Sequence, residues 1–290
     1  MNKGLVGGAL AGAALFGAAC AVVAPRRRSP ERESTWENLR RFRYAHRGLY
    51  DPELGIPENS LAAFERAARM GFGSELDVHF TADYRLVVIH DSYIERMTGV
   101  KGIIEQLTLA EVLELRLSGT EEGIPLFSDV LDAYESLAPG IPLIVEVKTA
   151  GGNHARLTEA VMAELDRHSV PYCVESFDPH VVKWLHDNRD DVFRGQLSQN
   201  FIARSKRSGM GIAVDVVATA LAANALTRPD FIAYRFHDSW MPSNPLATRV
   251  LGGAYVGWTL RSEEELLACE GRGGIGIFER FIPDAEVRRG

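Results

Sequence analysis

One stretch in the first third of the chain concentrates side chains that can bind a cation, hold a phosphate and transfer protons. It contains two histidines, His46 and His90, and Arg47 follows the first of them directly. Glu75 and Asp77 lie two positions apart, so in a strand they point to the same side. Histidine titrates near neutral pH, and the arginine fork matches a phosphate. The stretch therefore predicts acid–base chemistry on a phosphate-bearing substrate.

A later apolar run ends in Glu146 and Lys148. Together with Glu75 and Asp77, Glu146 completes a set of oxygen ligands, which suits Mg²⁺ or Ca²⁺ better than softer ions. Lys148 adds a point charge for a phosphate. Buried carboxylates cost several kcal/mol each when unpaired, so these acids need a cation. The alternative to a metal is that they pair with Arg47 and Lys148.

The elements that must position these residues are short apolar runs alternating with helical patterns, which predict an α/β fold of βα units around a parallel sheet. Strands near His46 and Glu75 and six further runs give the eight strands of a TIM (β/α)₈ barrel. The six further runs are 142–148, 171–176, 192–197, 231–235, 255–259 and 274–278. Functional residues are expected at the carboxyl ends of the strands.

Three helices are predicted from the apolar spacing, over 60–70, 109–117 and 128–137. Residues 81–85 have the composition of a turn, and 86–90 is a second apolar run. If the runs on either side form an antiparallel hairpin, Asp77 lies opposite His90, and the hairpin carries the second histidine to the acids.

Short motifs follow one another in a fixed order: HRG, PENS, AF, ExD, TxD, VVxHD and, downstream, VEVK. This series resembles the glycerophosphodiester phosphodiesterase family, from about Arg43 to Pro283. The resemblance implies metal-dependent hydrolysis of glycerophosphodiesters to sn-glycerol 3-phosphate and an alcohol, with the substrate's own glycerol hydroxyl attacking phosphorus to form a cyclic phosphate that water opens. The implied roles are acid–base catalysis by His46 and His90, phosphate binding by Arg47 and Lys148, and binding of the metal, Mg²⁺ or Ca²⁺, by Glu75, Asp77 and Glu146.

The resemblance leaves the assignment of acid and base between the two histidines open. It also implies a small insertion, over about 92–125, that caps the barrel mouth. Glu175 and Trp258 are candidates for the substrate pocket, although Trp258 is equally interpreted as a core residue. The last strand departs from the family pattern in 276–283, which leaves the headgroup of the substrate, and so the leaving alcohol, open.

The amino terminus carries no charge from Gly4 to Pro25, a length sufficient to cross a bilayer. An uncleaved anchor is favoured over a cleaved signal peptide or a lipoprotein signal at Cys20. Lys3 precedes the segment and three arginines follow it at 26–28, so the positive-inside rule places the rest of the chain in the cytoplasm, with export as the alternative. Glycines at 4, 8 and 12 permit self-association.

These patterns divide the chain into an anchor or signal segment (1–25), a linker (26–38) and a catalytic barrel (39–290). The 32 basic and 39 acidic residues give a net charge of −7, which argues against a nucleic-acid partner. The three cysteines have no metal or redox spacing. The expected partners are a small-molecule or lipid-derived phosphodiester and, through the amino terminus, a membrane.

Three other functions compete with hydrolysis of soluble diesters. A lysophospholipase D-type enzyme would act on lipids with the same residues. A catalytically silent, membrane-tethered binding protein would be expected to have lost at least one catalytic position, and none is lost. A glycoside hydrolase would use two carboxylates and need neither histidines nor a metal.

Overall fold

A computed structural model describes residue 14, residues 16–203, residue 205 and residues 207–284. Its architecture is a closed barrel of parallel strands surrounded by helices. The strands are β1 (Tyr44–His46), β2 (Gly73–Phe80), β3 (Leu86–Val88), β4 (Leu143–Val147), β5 (Tyr172–Ser176), β6 (Arg194–Ser198), β7 (Phe231–Arg235), β8 (Ala254–Leu260) and β9 (Ile275–Phe278).

Pairing of β1 with both β2 and β9 closes the barrel, because the remaining strands run in the order β9-β8-β7-β6-β5-β4-β2. All these pairings are parallel, and only β3 lies antiparallel, against the end of β2. The predicted barrel of eight parallel strands is confirmed, and the predicted runs match the strands closely. The carboxyl ends of all eight strands therefore meet at one mouth.

Helices cover the outside of the barrel and connect the strands. They are α1 (Pro30–Leu39), α2 (Leu61–Arg69), α3 (Glu95–Thr98), α4 (Leu109–Leu113), α5 (Phe127–Leu137), α6 (His154–Leu165), α7 (Pro179–Asn188), α8 (Ile212–Thr219), α9 (Asn224–Thr227), α10 (Ser243–Pro245) and α11 (Glu263–Glu270). Short 3₁₀ or π turns occupy Pro52–Leu54, Ile104–Gln106, Phe236–Asp238 and Leu246–Val250. The predicted helices over 60–70 and 128–137 correspond to α2 and α5.

The hairpin of β2 and β3 forms, but its register differs from the prediction by one residue. Thr81 N donates to Arg85 O at 2.9 Å, and this closure pairs Val78 with Val88. Asp77 therefore lies opposite Ile89, whose amide donates to Asp77 O at 3.0 Å, and not opposite His90. The turn fixes the register, and His90 reaches the mouth from the loop that follows β3.

The segment between β3 and β4 has a small core of its own, separate from the barrel core. Buried members include Ile94, Met97, Ile104 and Val112. The helix predicted over 109–117 ends at Leu113, because the backbone turns away: Leu117 N donates to Glu122 O at 2.7 Å. This part of the chain thus packs around an apolar cluster distinct from the barrel core.

Helix α1 closes the floor of the barrel, which is the end where the strands begin. Its buried residues Arg32, Trp36 and Leu39 recur at helical spacing, and the Trp36 ring stacks 6.1 Å from that of Phe193. Arg32 Nη1 contacts Asp230 Oδ2 at 2.6 Å. Within the stretch 26–38, predicted as a linker, the chain from Pro30 onward forms this packed helix.

Residues 16–23 are helical, and the segment predicted as an anchor lies largely outside the described residues. In the part of the chain that the structure describes, no helix combines the length and apolarity needed to cross a membrane. The glycines at 4, 8 and 12 also lie outside the described residues.

The packing of α1 predicts that Trp36→Ala lowers the free energy of unfolding by about 3–5 kcal/mol, because a large buried ring is removed. The matched control is Trp240→Ala, since Trp240 is 68% exposed and its loss should change stability by about 0.5 kcal/mol or less. Urea denaturation measures both. Equal effects of the two substitutions would contradict the role of α1 in the folded unit.

Candidate active site

The barrel register places a row of polar side chains across neighbouring strands at the mouth. His46 pairs with Glu75 across β1 and β2, and Asp77 pairs with Glu146 across β2 and β4. Glu146 in turn pairs with Glu175 across β4 and β5. Directly paired residues of parallel strands face the same way, so four carboxylates and a histidine converge at one end of the barrel.

Three of these carboxylates form a tight buried cluster. Oxygens of Glu75, Asp77 and Glu146 lie within 4.8 Å of one another. Burial, together with repulsion by Asp77 and Glu146, raises the pKa of Glu75 well above its usual value. Burial also raises the pKa of Glu146, although Lys148 opposes the shift. Three negative charges at this spacing require a compensating cation.

The side chains nearby compensate only part of this charge. Lys148 Nζ lies 2.9 Å from Glu146 Oε2 and 3.1 Å from Asp77 Oδ1. Although burial opposes it, the charges of Lys148, His90 and Arg47 hold the pKa of Asp77 well below its usual value. The predicted alternative, in which the acids pair with Lys148 and Arg47, is therefore partly realised. In the described part of the chain, no lysine or arginine side chain forms an ion pair with Glu75, which lies 3.8 Å from His46 Nε2 and accepts from the backbone amide of Arg47 at 3.2 Å.

Among the described residues, the buried Glu175 Oε2 accepts no hydrogen bond, and Asp77 Oδ1 has the Lys148 ammonium at 3.1 Å as its partner. Burial raises the pKa of Glu175 well above its usual value, and Glu146 and Asp77 add to the effect. A buried oxygen that lacks a donor is suited to a divalent cation, as is the all-carboxylate composition of the cluster. The described residues therefore fit the divalent metal that the sequence predicts.

His46 is oriented by a residue that the sequence analysis did not assign. Its Nδ1 lies 2.7 Å from Glu279 Oε2, and its Nε2 lies 3.8 Å from Glu75 Oε2. Burial lowers the pKa of His46, and the bond to Glu279 opposes this. Although burial opposes it, bonding to His46 and the charge of Arg261 bring the pKa of Glu279 down to about 2. In the sequence, Glu279 directly follows the last predicted strand, and this position could have indicated that it belongs to the site.

His90 stands on the other side of the mouth, where it is more exposed than His46. Its Nδ1 lies 2.7 Å from Asp91 Oδ1, and Asp91 Oδ2 accepts from Arg96 Nε at 2.5 Å. The hydrogen bond from His90 and the contact with Arg96 lower the pKa of Asp91, although burial opposes this shift. His46 and His90 thus share one arrangement, in which a carboxylate fixes Nδ1.

Arg47 adopts a left-handed backbone conformation (φ 56°) directly after β1, and Asn59 adopts another (φ 56°). Arg47 Nη1 donates to Glu58 Oε1 at 2.7 Å. Asn59 Nδ2 donates to Asp77 Oδ2 at 2.9 Å, so Asn59 orients a cluster oxygen. Strained backbone of this kind concentrates at functional sites. The PENS motif by itself does not predict these contacts of Glu58 and Asn59.

A cavity of about 420 Å³ opens beside the cluster and is lined by both histidines, Arg47, Glu175 and Trp258. The indole of Trp258 packs edge-to-face on Phe177, with ring centroids 5.6 Å apart. The structure thus brings together all the predicted site residues. Lys148 lines a neighbouring, more apolar cavity of about 530 Å³. Trp258 and Phe177 line this second cavity as well.

His79 lies on β2, two residues after Asp77. It is buried, and its Nδ1 lies 2.7 Å from Glu105 Oε1 in the insertion. Its Nε2 lies 3.3 Å from the backbone oxygen of His90. His79 therefore ties the insertion and the loop of His90 to β2.

Comparison with known proteins identifies relatives. Residues 46–201 match the family described as glycerophosphoryl diester phosphodiesterase. A glycerophosphodiester phosphodiesterase of Caldanaerobacter subterraneus subsp. tengcongensis is 46% identical over 72 residues, covering 24% of this chain and 28% of that one. A glycerophosphodiester phosphodiesterase of Bacillus altitudinis is 32% identical over 134 residues, covering 44% and 53%. The alignments thus span about half or less of these relatives.

A solved structure shares the fold over most of its length. It is an Oleispira antarctica phosphodiesterase in complex with the product sn-glycerol-3-phosphate, with a TM-score of 0.66 and 20% identity, covering 84% of this chain and 94% of that one. At this level of identity the similarity establishes the fold.

The bond between Glu279 and His46 predicts a pH-dependent loss of stability in Glu279→Gln. The folded-state pKa of Glu279 lies below its usual value, so its contribution is complete above about pH 5 and disappears as the pH falls towards about 2. At pH 7 the substitution should cost about 1–2 kcal/mol, less than the full shift implies because solvent partly screens the group. Urea denaturation between pH 7 and pH 3 measures the loss.

Exposed Glu264 provides the control for that experiment. Glu264→Gln should change stability by about 0.5 kcal/mol or less at every pH. A deficit in Glu279→Gln that stays constant as the pH falls would contradict the assignment.

Proposed function

The chain belongs to the glycerophosphoryl diester phosphodiesterase family, and from this premise we propose that it hydrolyses glycerophosphodiesters to sn-glycerol 3-phosphate and an alcohol. The observation that carries the proposal is the convergence of a carboxylate cluster with two carboxylate-oriented histidines at one barrel mouth. Its substrate class follows from the family and from the positively charged groups beside the cluster, Arg47 and Lys148.

A divalent cation, Mg²⁺ or Ca²⁺, would be held by Glu75, Asp77 and Glu146 and would supply positive charge to the phosphate oxygens. Arg47 adds a fork of donors that turns from Glu58 to the phosphate. Lys148, whose charge the acids stabilise, keeps the cluster compact and adds to the positive field.

The two histidines move the protons. With Nδ1 fixed by a carboxylate, each presents Nε2 to the reaction. One accepts the proton of the attacking glycerol hydroxyl as its oxygen bonds to phosphorus. The other donates a proton to the departing alcohol oxygen, which leaves a cyclic phosphate. Water then opens the cycle while the histidines exchange roles.

The insertion between β3 and β4 is proposed to cap the mouth. Arg96, on α3, donates to Glu58 Oε1 at 2.7 Å, which joins the insertion to the loop before α2. Asp91 and Arg96 line the cavity on this side. A cap in this position limits the access of bulk solvent to the phosphate.

We also propose that the amino-terminal segment anchors the protein in a membrane, with the barrel on the cytoplasmic side. Support comes from the uncharged run Gly4–Pro25 and from the arginines that follow it. The filled catalytic positions disfavour a silent binding protein, and the histidine pair disfavours a glycoside hydrolase.

The proposal predicts that His46→Ala and His90→Ala each lower kcat for glycerol 3-phosphate release by about 10²–10⁴-fold, because a proton-transfer group is removed. Glycerophosphocholine and glycerophosphoethanolamine are the substrates, and an enzyme-coupled assay measures the product. His237→Ala is the control, since His237 is exposed and lies outside the cavity. Full activity in either single variant would contradict the assignment.

Removal of divalent cations by EDTA should abolish turnover, and Mg²⁺ or Ca²⁺ should restore it. Glu75→Gln should leave turnover low at any metal concentration that saturates the wild type. Activity that persists in EDTA would overturn the metal-dependent mechanism and favour chemistry by carboxylates alone.

A further inference from the structure

The connection from β6 to β7 exposes apolar residues that a soluble surface does not ordinarily group together. Helix α8 presents Ile212, Val214, Val216 and Val217 to solvent, and Met210 before it is 71% exposed. Singly exposed apolar residues are common, but a contiguous group marks an interaction surface. We call this group the α8 face.

The one charged residue of α8 is turned away from that face. Asp215 is buried, and its Oδ1 accepts hydrogen bonds from the amide of Ser208 at 3.0 Å and from its hydroxyl at 2.5 Å. The inner side of the helix is fixed to the barrel, since Ser198 Oγ donates to Ala218 O and the amide of Phe201 to Thr219 Oγ1. The α8 face is thus held outward in a defined orientation.

Two features of the chain indicate what covers the α8 face. The sequence places Arg204, Lys206 and Arg207 just before the helix, which suits anionic headgroups beside an apolar surface. The same β6–β7 connection holds the end of the uncharged amino-terminal segment: Asn224 Nδ2 donates to Val23 O at 3.0 Å, and Arg228 Nη1 to Ala24 O at 3.0 Å.

We propose that the α8 face is a membrane-docking surface, which seats in the interfacial layer of an anionic bilayer and lays this flank of the barrel on the lipid. The surface continues into the mouth, because Met210, Val214 and Val217 line the apolar cavity that reaches His90 and Trp258. A second copy on the same face would cover that cavity. The docking is independent of the proposed hydrolysis.

The test uses the full chain with Cys20→Ser, because Cys173 and Cys269 are buried and escape labelling. A bimane fluorophore is placed at Val216→Cys and, as the matched control, at Leu267→Cys, which is comparably exposed on α11. Both proteins are reconstituted in vesicles of phosphatidylcholine and phosphatidylglycerol, about three to one, that contain doxyl-labelled phospholipid. Thermal unfolding checks that each variant is folded.

Quenching by the doxyl lipid should be several-fold stronger at position 216 than at position 267. Equal quenching at the two positions, or none at either, would overturn the proposal. Protection of position 216 from both doxyl lipid and aqueous iodide would also overturn the proposal. Such protection would show that the face is covered by protein, either a second copy or another segment of the chain. None of these outcomes depends on whether the protein hydrolyses glycerophosphodiesters.

Discussion

The crowding of three buried carboxylates at one barrel mouth is the constraint on which the rest of the site depends. Glu75, Asp77 and Glu146 point inward from two paired strands, where neither solvent nor enough protein donors can balance them. The resulting pKa shifts differ among the three acids, because Lys148 reaches Asp77 and Glu146 but not Glu75. In a barrel that stabilises this arrangement, the negative carboxylates attract a cation strongly, and the cation would in turn attract a phosphate.

A second layer of side chains converts this field into a directed site. Glu279 after β9 holds His46 at the end of β1, so the bond spans the closure between the last and first strands. Asn59 orients Asp77, and Asp91 orients His90. These supporting residues come from loops, whereas the carboxylates come from strands. The rigid barrel thus fixes the three carboxylates, and the loops fix the orientation of the two histidines.

The sequence predicted those features that local patterns determine. Apolar runs located the eight strands, and the spacing of Glu75 and Asp77 showed that they share a face. The sequence did not predict contacts between distant segments, such as Glu279 with His46 or Trp36 with Phe193, because no local pattern encodes them. The predicted register of the β2–β3 hairpin was wrong by one residue, because the hydrogen bond from Thr81 to Arg85 that closes the turn sets the pairing. The stretch predicted as a linker contains α1, whose buried residues are few and mostly surrounded by charged ones.

The most direct test of the account is calorimetric titration of Mg²⁺ and of Ca²⁺ into chelator-treated protein, with Glu75→Gln and the exposed control Glu264→Gln alongside. If the crowded acids form a cation site, at least one of the two metals binds at one ion per chain, and Glu75→Gln weakens its affinity by about tenfold or more while Glu264→Gln does not. Absence of binding, or an affinity that Glu75→Gln leaves unchanged, would show that Lys148 and Arg47 alone compensate the cluster and would contradict the central claim.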